Sequence, residues 1–214
     1  MKILLVSATL NEIQPTIEFH KSIFNQNLNF ELDFLISGVG MVNTAYQLTK
    51  SIFQNKPDYC IQAGIAGSFK KDIKIGDVVN VADDCFSELG AETEEKLLSA
   101  EEIGLTKDVK FYSVSNNFFQ FEFFKNLRNV SGITVNTVHG KTQSIFEISN
   151  RLNPEVESME GAAFLQVCCF EKIPCLQIRS ISNMVEKRNK ENWNIPLAIQ
   201  NLNDCLINYF SHIK

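Results

Sequence analysis

Apolar residues follow two alternating rhythms along the chain. Short runs of strand length, at 2–8, 32–37, 59–63, 77–82, 110–115, 133–138 and 174–180, are rich in apolar residues, and several are continuously so. Between them apolar positions recur every three to four residues. Met41, Ala45, Leu48 and Ile52 form one stripe; Ile195, Ala198, Leu202, Cys205 or Leu206, and Tyr209 form another. Continuously apolar strands are buried on both faces, so helices must cover both sides of the sheet. The pattern predicts an α/β fold, a single domain over residues 1–214 with a mixed central β-sheet flanked by helices. Asn194 is placed to cap the last helix, with Pro196 tolerated in its first turn.

Two stretches break the rhythm. Residues 83–107 carry Asp83, Asp84, Glu88, Glu92, Glu94, Glu95, Glu101 and Glu102, and read as a solvated loop with a surface helix. A substrate-covering or subunit-contact loop is the alternative. Phe118, Phe119, Phe121, Phe123 and Phe124 read as a helix whose aromatic face enters the core or, failing that, a subunit interface.

Composition narrows the function classes. The 214 residues suit one domain, and 44% hydrophobic with 21% charged residues suits a globular core. Lys plus Arg of 20 against Asp plus Glu of 25 gives −5, the wrong sign for coating a nucleic acid. No run approaches the roughly 20 apolar residues of a membrane helix, and the opening apolar stretch is too short for a signal peptide, so a cytoplasmic location is expected. The six cysteines show no C-x-x-C spacing and read as reduced core thiols, which calls for no metal.

Some motifs point the wrong way. Ser37-Gly38-Val39-Gly40-Met41-Val42-Asn43 imitates a dinucleotide fingerprint, but Asn43 replaces its third glycine and Asp58 precedes its strand. Gly140-Lys141-Thr142 ends like a phosphate loop, yet Val135 stands where the first glycine belongs. His20, His139 and His212 lack ligand spacing and read as structural or exposed.

Four segments at strand ends carry the usable chemistry: Ala8-Thr9-Leu10-Asn11-Glu12, Gln62-Ala63-Gly64-Ile65-Ala66-Gly67, Val156-Glu157-Ser158-Met159-Glu160-Gly161, and Ile178-Arg179-Ser180-Ile181-Ser182-Asn183. Carboxyl ends of strands in an open α/β sheet converge on one crevice. Two carboxylates, an amide, a guanidinium and glycines suit cleavage of a glycosidic bond, which needs an activated water and stabilisation of a cationic sugar. Simpler roles stand beside these: Glu12 as a first-turn helix acid, Glu160 as a partner of Arg179, Asn183 as a turn former.

G-x-A-G after a central strand, M-E-G-A-A opening a helix and R-x-I-S-N closing a strand resemble the purine nucleoside phosphorylase and nucleosidase superfamily over nearly the whole chain. Within it, Glu88-Leu89-Gly90-Ala91-Glu92, Ser182-Asn183-Met184-Val185-Glu186-Lys187-Arg188 and Trp193-Asn194-Ile195-Pro196-Leu197 are most similar to the futalosine hydrolase family. That resemblance implies a homo-oligomeric nucleosidase that releases hypoxanthine from futalosine. It needs no cofactor or metal, and its partners are a small nucleoside and further copies of the chain. Glu12 would deprotonate the attacking water, Glu160 would hold the ribose hydroxyls, and Met159 would pack on the sugar. Gly64, Ile65, Ala66 and Gly67 would line the pocket, Ser182 and Asn183 would address the purine, and Arg179 would hold the Glu160 side. Phosphorylases of the superfamily carry an arginine and a hydroxyl residue where this chain has Gln62 and Ile65, which favours water as nucleophile. Nucleosidases acting on methylthioadenosine have an aspartate where this chain has Asn183. The purine-stacking aromatic is expected within residues 139–146.

Overall fold

The computed structural model describes residues 1–23, 29–107, 110–113 and 119–213, without the side chains of residues 119–122. In chain order its elements are β1 (Lys2–Ser7), α1 (Leu10–Ile23), β2 (Glu31–Ile36), α2 (Met41–Gln54), β3 (Tyr59–Ser68) and β4 (Val78–Phe86). Then come the short strands β5 (Gly90–Glu92), β6 (Leu97–Ser99) and β7 (Lys110–Tyr112), followed by β8 (Arg128–Thr134), α3 (Thr142–Leu152), β9 (Val156–Ser158), α4 (Gly161–Phe170), β10 (Cys175–Met184) and α5 (Ile195–His212).

The main sheet is mixed and has eight strands among the described residues. β3 is its hub, pairing in parallel with β1 and β10 and antiparallel with β9. β10 continues to β4, β4 to β8, and β8 to β9, so this part of the sheet closes on itself, while β1 and β2 extend it on the open side. Helices cover both faces, as the continuous apolar strands require. One core joins Ile3, Leu5, Ile61 and Ile178 to Ile13, Leu202, Leu206 and Tyr209 of α1 and α5; the other joins Leu4, Val6 and Cys60 to Leu48, Ile52, Phe164 and Leu165 of α2 and α4. Asn194 caps α5 as expected, its side chain accepting from the Leu197 N–H at 3.2 Å.

Three expectations need correction. The strand placed at 133–138 runs over Arg128–Thr134 instead, because β4 and β9 offer partners there and the ladder ends where Val135 N donates to Ser158 O. The acidic stretch holds no α-helix: its first residues extend β4, and β5 and β6 pair as a hairpin. Nor is it wholly solvated, since Asp84 is buried and accepts from Thr134 Oγ1 and Gln177 Nε2. In the phenylalanine cluster, residues 119–126 form a 3₁₀ turn, not an α-helix. Phe124 is buried against Tyr209 with ring centroids 4.4 Å apart, and Phe123 joins them. Phe118 and the side chains of Phe119 and Phe121 lie outside the described residues.

Candidate active site

Strand pairing opens the site. β3 pairs with β1 as far as Gln62 and with β9 only from Gly67, so residues 63–66 have no ladder partner on that edge. The freed Ile65 N–H donates to Glu12 Oε1 at 3.1 Å. On the opposite edge β10 carries a bulge between Ile181 and Asn183, which leaves Ser182 as the extra residue. Its hydroxyl reaches Ala66 O at 3.2 Å and Asn183 Oδ1 at 2.7 Å.

A cavity of about 470 Å³ lies at these strand ends. Glu12, Ile65, Ala66, Gly67, Met159, Glu160, Ser182 and Asn183 all line it. Gly64 and Arg179 do not; they form its backing. A Cβ on Gly64 would collide with Arg179 Nη1 and stand 2.9 Å from Glu12 Oε1, so only glycine lets the strand pass between them.

Glu12 sits in the first turn of α1, and its two oxygens do different work. Oε2 accepts from Thr9 N and Thr9 Oγ1, both at 2.9 Å, and from Ser7 Oγ at 3.1 Å, including the backbone bond of a capping box. Oε1 accepts from Ile65 N alone, which leaves lone-pair capacity for a ligand. The helix-acid bonds therefore leave one oxygen of Glu12 able to meet a ligand in the cavity. Asn203 of α5, 1% exposed, braces this turn by donating to Glu12 O at 2.8 Å while accepting from Thr16 Oγ1 at 2.6 Å.

Glu160 precedes α4 and is buried at the cavity wall. Its Oε1 accepts from Gly40 N at 2.9 Å, and Arg179 Nη2 stands 3.7 Å from Oε2, an ion pair beyond hydrogen-bond reach. The glycines of the false dinucleotide motif thus serve a carboxylate: Gly38 and Gly40 adopt φ of 84° and 93°, which turns the chain so that Gly40 N meets Glu160. Arg179, 1% exposed, donates through Nε to Gln177 Oε1 at 3.1 Å and through Nη2 to Gln62 Oε1 at 3.0 Å. Gln177 in turn donates to Asp84 Oδ2 at 3.1 Å. Burial pushes the Asp84 carboxyl up to about 7, against the opposing pull of its Gln177 and Thr134 hydrogen bonds and of the Arg179 charge.

Sequence reasoning missed this supporting layer. Ser7 and Thr9 meet Glu12 within the same turn, whereas the Gly40 N–H, Asp84, Gln177 and Asn203 find partners remote in the chain. The signal available was their position: Asn203 interrupts the buried stripe of α5, and Gln177 interrupts an apolar strand. His139, read from the sequence as structural or exposed, lines the cavity with Glu157, Nδ1 standing 2.7 Å from Glu157 Oε2. Among the described residues no group of three or more His, Cys, Asp or Glu is placed to hold a metal ion, and no helix is long and apolar enough to cross a membrane.

Residues 34–211 match the family model of the phosphorylase superfamily, and the chain belongs to that superfamily. Within it the chain sits among the nucleosidases that comprise the methylthioadenosine/S-adenosylhomocysteine nucleosidases and the futalosine hydrolases. It is 28% identical over 180 residues to the 5'-methylthioadenosine/S-adenosylhomocysteine nucleosidase of Buchnera aphidicola subsp. Schizaphis graminum, covering 78% of this chain and 74% of that one. It is 24% identical over 176 residues to the futalosine hydrolase of Thermus thermophilus, covering 79% and 76%. The fold is that of the Streptococcus pneumoniae MTA/SAH nucleosidase in complex with 8-aminoadenine, with a TM-score of 0.82, 20% identity and full coverage of both chains.

Proposed function

We propose that this protein is an N-ribosidic hydrolase that releases hypoxanthine from futalosine, with water as nucleophile. The observation that carries the reading is the convergence of Glu12, Glu160 and Asn183 on one cavity of about 470 Å³, a volume suited to a nucleoside. Glu12 Oε1 takes the proton of the attacking water. Glu160, anchored by Gly40 and faced by Arg179, holds the ribose hydroxyls and offsets the positive charge that develops on the sugar. Met159 packs on the sugar, Ile65, Ala66 and Gly67 form the wall, and Ser182 with Asn183 meets the purine edge.

Water is favoured over phosphate by where the cation is spent. Arg179, the guanidinium nearest the two carboxylates, is buried and committed to Gln62 and Gln177, and Gln62 itself brings no charge. A phosphate would enter beside the two carboxylates Glu12 and Glu160, with Arg179 already committed to Gln62 and Gln177. The base preference rests on Asn183: its amide can donate to a 6-oxo group. The similarity to methylthioadenosine/S-adenosylhomocysteine nucleosidases supports a second reading, release of adenine from a thio-nucleoside. Supporting self-association, α2 leaves Val42, Tyr46 and Phe53 exposed along one side. Release of free base from futalosine and from methylthioadenosine, each with and without phosphate, tests the proposal. Hypoxanthine from futalosine, independent of phosphate, is expected; adenine release alone or strict phosphate dependence overturns it.

A further inference from the structure

Cleavage as described leaves the departing purine without a proton donor, because an amide such as Asn183 has no acidic proton to give. We propose that His139, held by Glu157, is the general acid that protonates the purine; this rests on the nucleosidase reading above.

Three contacts tie His139 to one buried carboxylate. Its backbone N–H lies 3.1 Å from Glu157 Oε1 and 3.4 Å from Oε2, and its ring Nδ1 lies 2.7 Å from Oε2. Glu157 is 3% exposed and both residues line the cavity. With Nδ1 engaged, Nε2 is the ring nitrogen left for a ligand, and in an imidazolium it carries the second proton. Phe69 stands edge-on to the imidazole at 6.2 Å, so the ring has a fixed seat.

The pairing register places this dyad at the base end of the cavity. Gly67 pairs with Asn183 of β10 on one side and with Glu157 of β9 on the other. A Cβ on Gly67 would stand 3.1 Å from Asn183 Nδ2 and 3.6 Å from Glu157 Cγ. The amide that meets the purine edge and the carboxylate that holds the imidazole thus flank the same glycine, two residues along β3 from the Ile65 N–H that holds Glu12. The charged groups facing His139 across the cavity are Glu157, Glu12, Glu160 and Arg188. Behind it an adjoining cavity of about 700 Å³, which His139 also lines, carries the acids Glu88, Glu92, Glu94, Glu95 and Glu147 and the bases Lys96 and Arg151.

The step balances. As the C1′–N9 bond breaks, its electron pair moves into the purine, and the proton on His139 Nε2 passes to N7, so the base leaves neutral. Water forms the new C1′–O bond and its proton goes to Glu12. Solvent then takes that proton and returns one to His139. Each turnover consumes one water.

His139→Gln, His139→Phe and Glu157→Gln are compared with the wild type on futalosine and on 4-nitrophenyl ribofuranoside, whose phenolate leaves without needing a proton. On futalosine, kcat is expected to fall about 10²-fold in both His139 variants and about tenfold in Glu157→Gln, with kcat on the nitrophenyl riboside changed less than about threefold. The fall of wild-type kcat at alkaline pH is expected to vanish in the His139 variants. Near wild-type turnover by His139→Phe would mean that the ring only stacks, and would overturn the proposal. Equal losses on both substrates, or survival of the alkaline limb in His139→Gln, would overturn it too, and the pH profile decides alone where the nitrophenyl riboside turns over slowly. A wild type that releases no purine from any nucleoside would defeat the nucleosidase reading instead.

Discussion

The two ends of the cavity are built differently. At the sugar end, Glu12 and Glu160 accept from backbone N–H groups, those of Thr9, Ile65 and Gly40, and the Ser7 and Thr9 hydroxyls add two further bonds to Glu12. At the base end, Asn183 is held by the Ser182 hydroxyl on a bulge, and Glu157 by both the ring and the backbone N–H of His139 on a loop, so side-chain partners carry more of the holding. Backbone donors persist as long as the fold does, whereas a side-chain pair changes with one substitution. The sugar chemistry is therefore tied to the architecture, and the choice of base is open to local revision.

The sharpest way to break that contrast is at Glu12. Glu12→Gln keeps the size and most of the hydrogen bonds but cannot take a proton from water, so kcat should drop by about 10²- to 10⁴-fold on every accepted nucleoside, with KM little changed. A loss confined to one base would show that the two ends are not separable. Next in size is the buried layer behind Glu160. The Asp84 carboxyl is raised to about 7 in the fold, so the folded state binds its proton more tightly than the unfolded chain does. Its contribution to stability is complete below the unfolded value and lost as pH rises toward about 7, on the order of 4 kcal/mol over that range. Denaturant titrations at about pH 3.5 and about pH 7.5, on either side of this window, should show that slope in the wild type and a flatter one in Asp84→Asn.

At the base end the expected effect is redirection. Asn183→Asp should shift the ratio of kcat/KM toward 6-aminopurine nucleosides by about tenfold, since a protonated carboxyl can donate to N7 while accepting from an amino group. An unchanged base profile would remove Asn183 from specificity. Ser182→Ala should give the smallest change, a few-fold loss in kcat/KM of about 1 kcal/mol, because it deletes one neutral hydrogen bond that orients the Asn183 amide.

Much of this molecule was legible in order along the chain. Periodicity located β1, β3, β10, α2 and α5, since a run of Leu, Ile and Val must be buried and its spacing decides how. The segments holding Glu12, Gly67, Met159, Glu160, Ser182 and Asn183 pointed to the cavity's lining through their place at strand ends and the family resemblance they carry. Illegible were the pairs formed across the sheet: Asp84 with Gln177, Gly40 with Glu160, His139 with Glu157. His139 read as a lone histidine because its carboxylate lies 18 positions away and meets it only after β8 and β9 pair.

Residue order thus settles which segments are strands and helices, since burial of apolar side chains is a local demand that spacing alone can express. It also supplies the groups able to cleave a glycosidic bond. Whether those groups act together is a matter of distance in three dimensions. That was decided by the edge of β3 left unpaired at 63–66 and by the bulge at Ser182, features that arise only when strands remote in sequence come into register.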